Sequence, residues 1–298
     1  MLPRNVEAFI GCDAAYRSAD TVLYGAPFDS TTSYRPGARF GPSAIRHESY
    51  GIETYSPYQD ADLTDLSVFD SGDLELCFGS PEKALDAIRA RAALLLGDGK
   101  LPLLLGGEHL VTLGAVQAAA ARWPDLHILH FDAHADLRDD YLGAALSHAC
   151  VMRRCHDLLG DGRIHQFCIR SGERDEFRFA ARHTELHRFG FSGLAETVAA
   201  LCAANAPVYL TVDLDCLDPS CFPGTGTPEA GGVSFGALLR AVRTACRANI
   251  VAADLNELAP TLDSSGISTA LACKLLRELL LALNAARETN KSTQERIK

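Results

Sequence analysis

The sequence predicts an α/β fold of three layers, with helices on both faces of a mostly parallel sheet. Three observations predict it. Apolar runs of strand length alternate with stretches of helical periodicity through almost all of the 298 residues. The strand runs are continuously apolar rather than alternating, as expected of strands covered on both faces. Acidic and imidazole side chains gather directly behind those runs, at the carboxyl ends of strands, where parallel sheets carry their sites.

In chain order, a strand is expected over 21–25 and a second over 67–70. Pro81 suits the first turn of a helix over 81–96. A third strand, 101–105, runs into Gly106-Gly107-Glu108-His109 and a helix over 109–121. The fourth strand, 126–132, leads into His130-Phe131-Asp132-Ala133-His134-Ala135-Asp136. A helix over 148–159, strands over 164–170 and 186–189, and a helix over 195–203 follow. The last elements are strands 208–213 and 250–255 and helices 235–248 and 267–286. No repeat or linker-like shift interrupts this pattern before the polar tail 288–298, which is expected to fray. The expectation is one domain over 1–298, with an eight-stranded sheet.

Composition narrows the function. With 47% hydrophobic and 22% charged residues, the chain has ample material for a core. Thirty-eight acids against 28 bases give a net charge of -10, which disfavours a nucleic-acid partner and suits a cationic substrate. No basic-then-apolar leader and no bilayer-length apolar run is visible, so a soluble, cytoplasmic protein with no membrane partner is expected. The ten cysteines are scattered without a C-x-x-C pair and read as reduced, mostly buried thiols. Cys216, beside Asp215, reads as a small filler more readily than as a ligand or nucleophile.

The chemistry lies in His109, Asp132, His134, Asp136, Asp213 and Asp215. Asp132, His134 and Asp136 stand at i, i+2 and i+4, so a strand or its extension would turn them to one face. Asp213 and Asp215 repeat the spacing behind a second strand. Grouped carboxylates repel one another and resist burial, and a cation is the natural remedy. A lone D-x-D would read as a turn or cap; together the clusters read as a site for two divalent metals. The set is rich in oxygen and has no thiolate, which suits Mn²⁺ better than structural zinc. Four carboxylates, two divalent ions and a bridging hydroxide leave a charge of about -1, which tolerates a cation nearby. Hydrolysis by metal-activated water is the natural reaction. His148 reads either as a proton carrier for a leaving amine or as an exposed histidine opening a helix. Glu257 reads either as the partner of a planar cation or as a turn cap. Gly106-Gly107 and Gly224-Thr225-Gly226 lack the further residues of phosphate or dinucleotide loops. They are expected to let backbone pass close to the site.

Gly-Gly-Glu-His (106–109), Asp-Ala-His-Ala-Asp (132–136), Ser-His-Ala (147–149) and Asp-Leu-Asp-Cys-Leu-Asp-Pro (213–219) resemble the ureohydrolases, the arginase and agmatinase superfamily. So do the stretch Arg-Pro-Gly-Ala-Arg-Phe-Gly-Pro (35–42), Gly-Thr-Gly-Thr (224–227) and Glu229. Residues 35–42, Ile169-Arg170-Ser171-Gly172 and the segment 257–260 look most like the bacterial agmatinase branch. The resemblance covers residues 24–286. It implies one Mn²⁺ on His109, Asp132, Asp136 and Asp213, and another on Asp132, His134, Asp213 and Asp215. It also implies proton transfer by His148, a guanidinium grip by Glu257, an arginase-like sheet, and a homotrimer or homohexamer.

One departure stands out. Residues 137–147 lack the Asn-containing, Thr-rich loop by which arginases receive an amino-acid head group. The expected substrate is a small cationic guanidino compound, with agmatine first, converted to putrescine and urea. Guanidinobutyrate, formiminoglutamate and arginine are the alternatives within the chemistry. A single-zinc deacetylase and a catalytically inactive metal-binding protein are the alternatives outside it. Asp139 and Asp140 are expected partners for an ammonium tail, and Arg138 could instead meet a carboxylate.

Overall fold

Continuous burial of short apolar segments places the sheet where the sequence puts it. The computed structural model describes backbone for residues 7–297 and side chains for 7–287. Its strands are β1 (Thr21–Ala26), β2 (Tyr55–Ser56), β3 (Ala61–Asp62), β4 (Val68–Asp73), β5 (Leu101–Gly106), β6 (His127–Phe131), β7 (Ile164–Ile169), β8 (Glu185–Arg188), β9 (Pro207–Asp213) and β10 (Asn249–Asn256). The helices are α1 (Gly41–Glu48), α2 (Pro81–Gly97), α3 (Val111–Arg122), α4 (Val151–Leu159), α5 (Arg174–His183), α6 (Leu194–Ala203), α7 (Phe235–Ala245) and α8 (Ile267–Ile297). Eight strands form one sheet in the order β4-β1-β5-β10-β9-β6-β7-β8, and each neighbouring pair is parallel. The short antiparallel pair β2-β3 stands apart from it.

Alternate residues of the inner strands feed two apolar cores. Leu23, Leu103, Leu105, Phe131 and Val212 join the core beneath α1, α6, α7 and α8. Val22, Tyr24, Leu104, Ile128 and Tyr209 join the core beneath α2, α3 and α4. The eight predicted strands and six predicted helices are present with shifted ends. The polar tail expected to fray carries helical backbone as far as Ile297, and its side chains from 288 on lie outside the described residues. Two helices had no sequence signal strong enough to predict them. Helix α1 is eight residues long, and its Gly41-Pro42 start reads as a turn. Helix α5 is largely polar, but it carries Asp175 and Glu176 in its first turn, Arg182 and His183 in its last, and a Glu173–Glu176 capping box.

The register sets the site. Leu255 pairs with Leu105 on one side and Val212 on the other, and Val212 also pairs with Phe131. The carboxyl ends of β5, β10, β9 and β6 therefore come level, where the strand order reverses. The next residues along those strands carry the acids and imidazoles. No helix among the described residues is long and apolar enough to cross a membrane.

Candidate metal centre

At this edge the six residues singled out as metal-grade come together. Asp132 is fully buried, with His109, Asp136, Asp213 and Asp215 nearly so. Nδ1 of His109 lies 3.0 Å from Asp132 Oδ2, 3.2 Å from Asp136 Oδ2 and 3.3 Å from Asp213 Oδ2. Nδ1 of His134 lies 2.9 Å from Asp215 Oδ2 and 3.5 Å from Asp132 Oδ1. Asp132 thus stands between two clusters of ligating atoms. The route differs from simple strand alternation. Strand β6 ends at Phe131, and Asp136 has a left-handed backbone (φ 54°), so a turn rather than pleating brings it in.

The donor set fits divalent ions. His109 Nε2 sits 2.8 Å from Thr211 Oγ1, so Nδ1 is the ring nitrogen turned to the acids. It faces three carboxylate oxygens at about 3 Å in the protein interior. An imidazole nitrogen and three buried carboxylates converging on one point make a ligand set that positive charge must complete. The acids point the same way. Burial, Asp215 and Asp132 together push the Asp213 carboxyl well up, so without a cation the cluster resists full ionisation.

Backbone donors fix the carboxylates. The N–H groups of His134 and Ala133 donate to Asp132 Oδ1 (2.6 Å) and Asp215 Oδ1 (3.1 Å), and the N–H of Asp215 donates to Asp213 Oδ1 (2.8 Å). Buried His130 is a support the sequence reading passed over. Gln166 Nε2 donates to Ala135 O (2.8 Å) and to His130 Nδ1 (3.1 Å). This leaves His130 Nε2–H to donate to Asp132 Oδ2 at 2.8 Å. Arg170 braces the neighbouring loop through the carbonyls of Asp215 (2.7 Å) and Glu229 (2.8 Å).

Two glycines give room for close approach, to backbone at Gly107 and to a side chain at Gly106. A Cβ on Gly107 would strike the backbone of Phe28, and one on Gly106 would strike Asn256. Glu257, just past β10, adopts φ 66°, a strained conformation for glutamate. Its N–H donates to Gly107 O (2.9 Å), and its Oε1 accepts from the N–H of His109 (2.8 Å). Burial first, then Glu108 and Asp215, push its carboxyl well up.

His148 opens a short 3-10 turn ahead of α4. Its backbone N–H donates to Thr31 Oγ1 (3.1 Å) and its Nδ1–H to Thr31 O (3.0 Å), leaving Nε2 near Ser33 Oγ at 3.3 Å. Thr31 is held in turn by Glu108, which accepts from its N–H (3.0 Å) and hydroxyl (2.7 Å). Burial pushes the Glu108 carboxyl up to about 7. The single letter E in Gly-Gly-Glu-His gave no hint of this task.

A cavity of about 280 Å³ opens above the cluster, lined among others by Asp136, Arg138, Tyr141, His148, Glu173, Glu176 and Glu257. Here one expectation is corrected. Asp139 and Asp140 do not line the cavity: Asp139 pairs with Arg154 at 2.7 Å, and Asp140 accepts from the N–H of Gly143 at 2.8 Å. A turn after Arg138 directs both outward. Arg138 pairs with Glu173 at 2.9 Å, lies 3.5 Å from Glu176, and stacks on Tyr141 at 4.4 Å. All ten cysteines are free, and burial pushes the Cys216 thiol well up, as suits a filler.

The arginase family profile matches residues 19–282. The chain belongs to the arginase family. It is a hydrolase of a family that depends on a binuclear metal, and its described residues include a His/Asp cluster able to hold metal. It is 45% identical over 278 residues to an agmatinase of Bacillus subtilis (strain 168), covering 92% of this chain and 96% of that one. The agmatine ureohydrolase structure of Thermoplasma volcanium matches with a TM-score of 0.87 and 32% identity, over 96% of this chain and 97% of that one. A Clostridium difficile structure matches with the same TM-score and 45% identity, over 90% and 98%.

Proposed function

We propose that this enzyme hydrolyses agmatine to putrescine and urea at a binuclear manganese centre. The observation that carries the choice of substrate is the charge of the cavity. Arg138 is the cation of the described lining, and Glu173, Glu176 and Tyr141 already engage it. A carboxylated guanidine would bring its anion to a wall of acids with no uncommitted partner. Agmatine brings a guanidinium and an ammonium, both suited to that wall. The relatives named as agmatinases support the same choice.

His109, Asp132, Asp136 and Asp213 would hold one ion, and Asp132, His134, Asp213 and Asp215 the other. Bound there, the ions supply an activated water near neutral pH. Glu257 receives the guanidinium through its remaining carboxylate oxygen, with Oε1 fixed by the His109 N–H. His148, with Nδ1–H committed to Thr31, carries a proton on Nε2 to the leaving amine. The resemblance adds a trimer or hexamer of single-domain subunits in the cytoplasm, serving putrescine biosynthesis.

Urea release measured side by side decides the substrate. Agmatine should exceed arginine and guanidinobutyrate by at least about 10²-fold in kcat/KM, roughly 2.7 kcal/mol of differential binding. Equal or faster turnover of guanidinobutyrate would reject agmatine as the substrate and leave the hydrolytic chemistry standing.

A further inference from the structure

The opposite edge of the sheet carries a second set of metal-grade side chains. Helix α4 ends just before β7, and α5 ends just before β8, so both helix carboxyl ends lie at the amino edge of these strands. His156 is in the last turn of α4, His183 closes α5, and Asp161 sits on the loop between α4 and β7. His156 Nε2 and His183 Nδ1 both lie 2.8 Å from the same oxygen, Asp161 Oδ1. The three ligating atoms fall within 4.8 Å of one another.

We propose that His156, Asp161 and His183 form a binding site for a divalent transition ion of the zinc type, distinct from the catalytic centre. The donor chemistry differs from that of the centre: two imidazoles and one carboxylate favour zinc over manganese. Zn–N bonds of about 2.0–2.1 Å separate tetrahedral ligand atoms by roughly 3.3 Å, wider than the 2.8 Å contacts of Asp161, so Asp161 must draw back by about half an ångström to admit an ion. Gly160 and Gly162 flank Asp161 with left-handed backbones (φ 82° and 71°), which gives the loop that freedom.

The frame around the donors is already built. The N–H of Gly160 donates to His156 O at 2.8 Å, and the N–H of Gly162 to His183 O at 2.9 Å. Each histidine is therefore tied to the loop that presents Asp161. Phe179 backs both rings, at 4.8 Å from His156 and 4.3 Å from His183. The other nitrogen of His156, Nδ1, is buried and makes no hydrogen bond; the nearest carboxylate, Asp157 at 3.8 Å, is paired with Arg154. Two helix carboxyl ends add a field that favours a cation. The side chain of Asp161 is 66% exposed, so an ion has open access and a free coordination position. Bound there, it would staple the α4–β7 and α5–β8 junctions beside the edge strand.

The test titrates Zn²⁺ into manganese-loaded protein, with bound zinc per chain measured after equilibrium dialysis. Asp161→Asn and His183→Gln are compared with the native chain. The native chain should bind one more zinc than either variant. Its thermal midpoint should rise by roughly 3 °C at a tenfold excess over Kd, and neither variant should respond so. Exchange at the catalytic centre affects all three proteins alike, and turnover without zinc should match in all three. Equal zinc uptake by native and variant chains would overturn the site and leave the three groups as a hydrogen-bonded cluster only.

Discussion

The floor and the rim of the cavity over the His/Asp cluster are built in opposite ways. On the floor, backbone N–H groups hold the carboxylates of Asp132, Asp213 and Asp215, and buried His130 adds a second donor to Asp132. On the rim, Arg138 and Glu173 meet as side chains only, with Glu173 63% exposed. Chemistry that needs ions at fixed places requires a floor whose geometry cannot relax. Recognition of a substrate tail tolerates a rim that can.

Substitutions should expose this difference in graded sizes. The largest effect is expected at the floor. Asp132→Asn should lose both ions, and kcat should fall by at least about 10³-fold, the scale of several kcal/mol supplied by metal catalysis. Elemental analysis of the dialysed variant checks the first half; two retained ions would show that Asp132 does not bridge.

Next comes the support of His148, the proposed proton carrier. His148→Asn should cost roughly 10²–10⁴-fold in kcat with the ions retained. Glu108→Gln should cost about tenfold in kcat by loosening Thr31, with little change in KM. A loss confined to KM would mean that Glu108 shapes the binding cavity instead of orienting His148.

At the rim, Glu173→Gln frees Arg138. The kcat/KM for agmatine should drop roughly fivefold, in line with an exposed ion pair worth about 1 kcal/mol, while guanidinobutyrate improves. Unchanged selectivity would remove Arg138 from the account of specificity. The smallest effect belongs to Asp139→Asn, expected to stay within about twofold because its partner is Arg154, outside the cavity.

The same contrast explains what was legible in the sequence. The floor comes from short motifs behind apolar strands, where local spacing and sheet register suffice to bring His109, Asp132 and Asp213 together. The rim depends on which way a loop turns after Arg138, and spacing does not encode that. Asp139 and Asp140 were accordingly expected where Glu173 and Glu176 stand. Supports such as His130, Glu108 and Gln166 escaped notice for another reason. Their function exists only through partners 2 to 77 residues away, one hydrogen bond removed from the chemistry. Helix α5, which supplies Glu176, is short and rich in charged residues, with few of the apolar side chains by which its longer neighbours were found.

One backbone clamp reaches furthest. The Glu257 carboxylate takes the N–H of His109, and the Glu257 N–H takes the carbonyl of Gly107, so two loops close on each other head to tail. Under the proposed roles, substrate grip and ion retention share a single mechanical joint. Binding free energies are reciprocal: whatever factor the ions contribute to guanidinium affinity, a bound guanidinium returns to ion affinity. If the joint couples the two positively, the enzyme should hold its ions least tightly when starved of substrate and most tightly with a guanidinium bound.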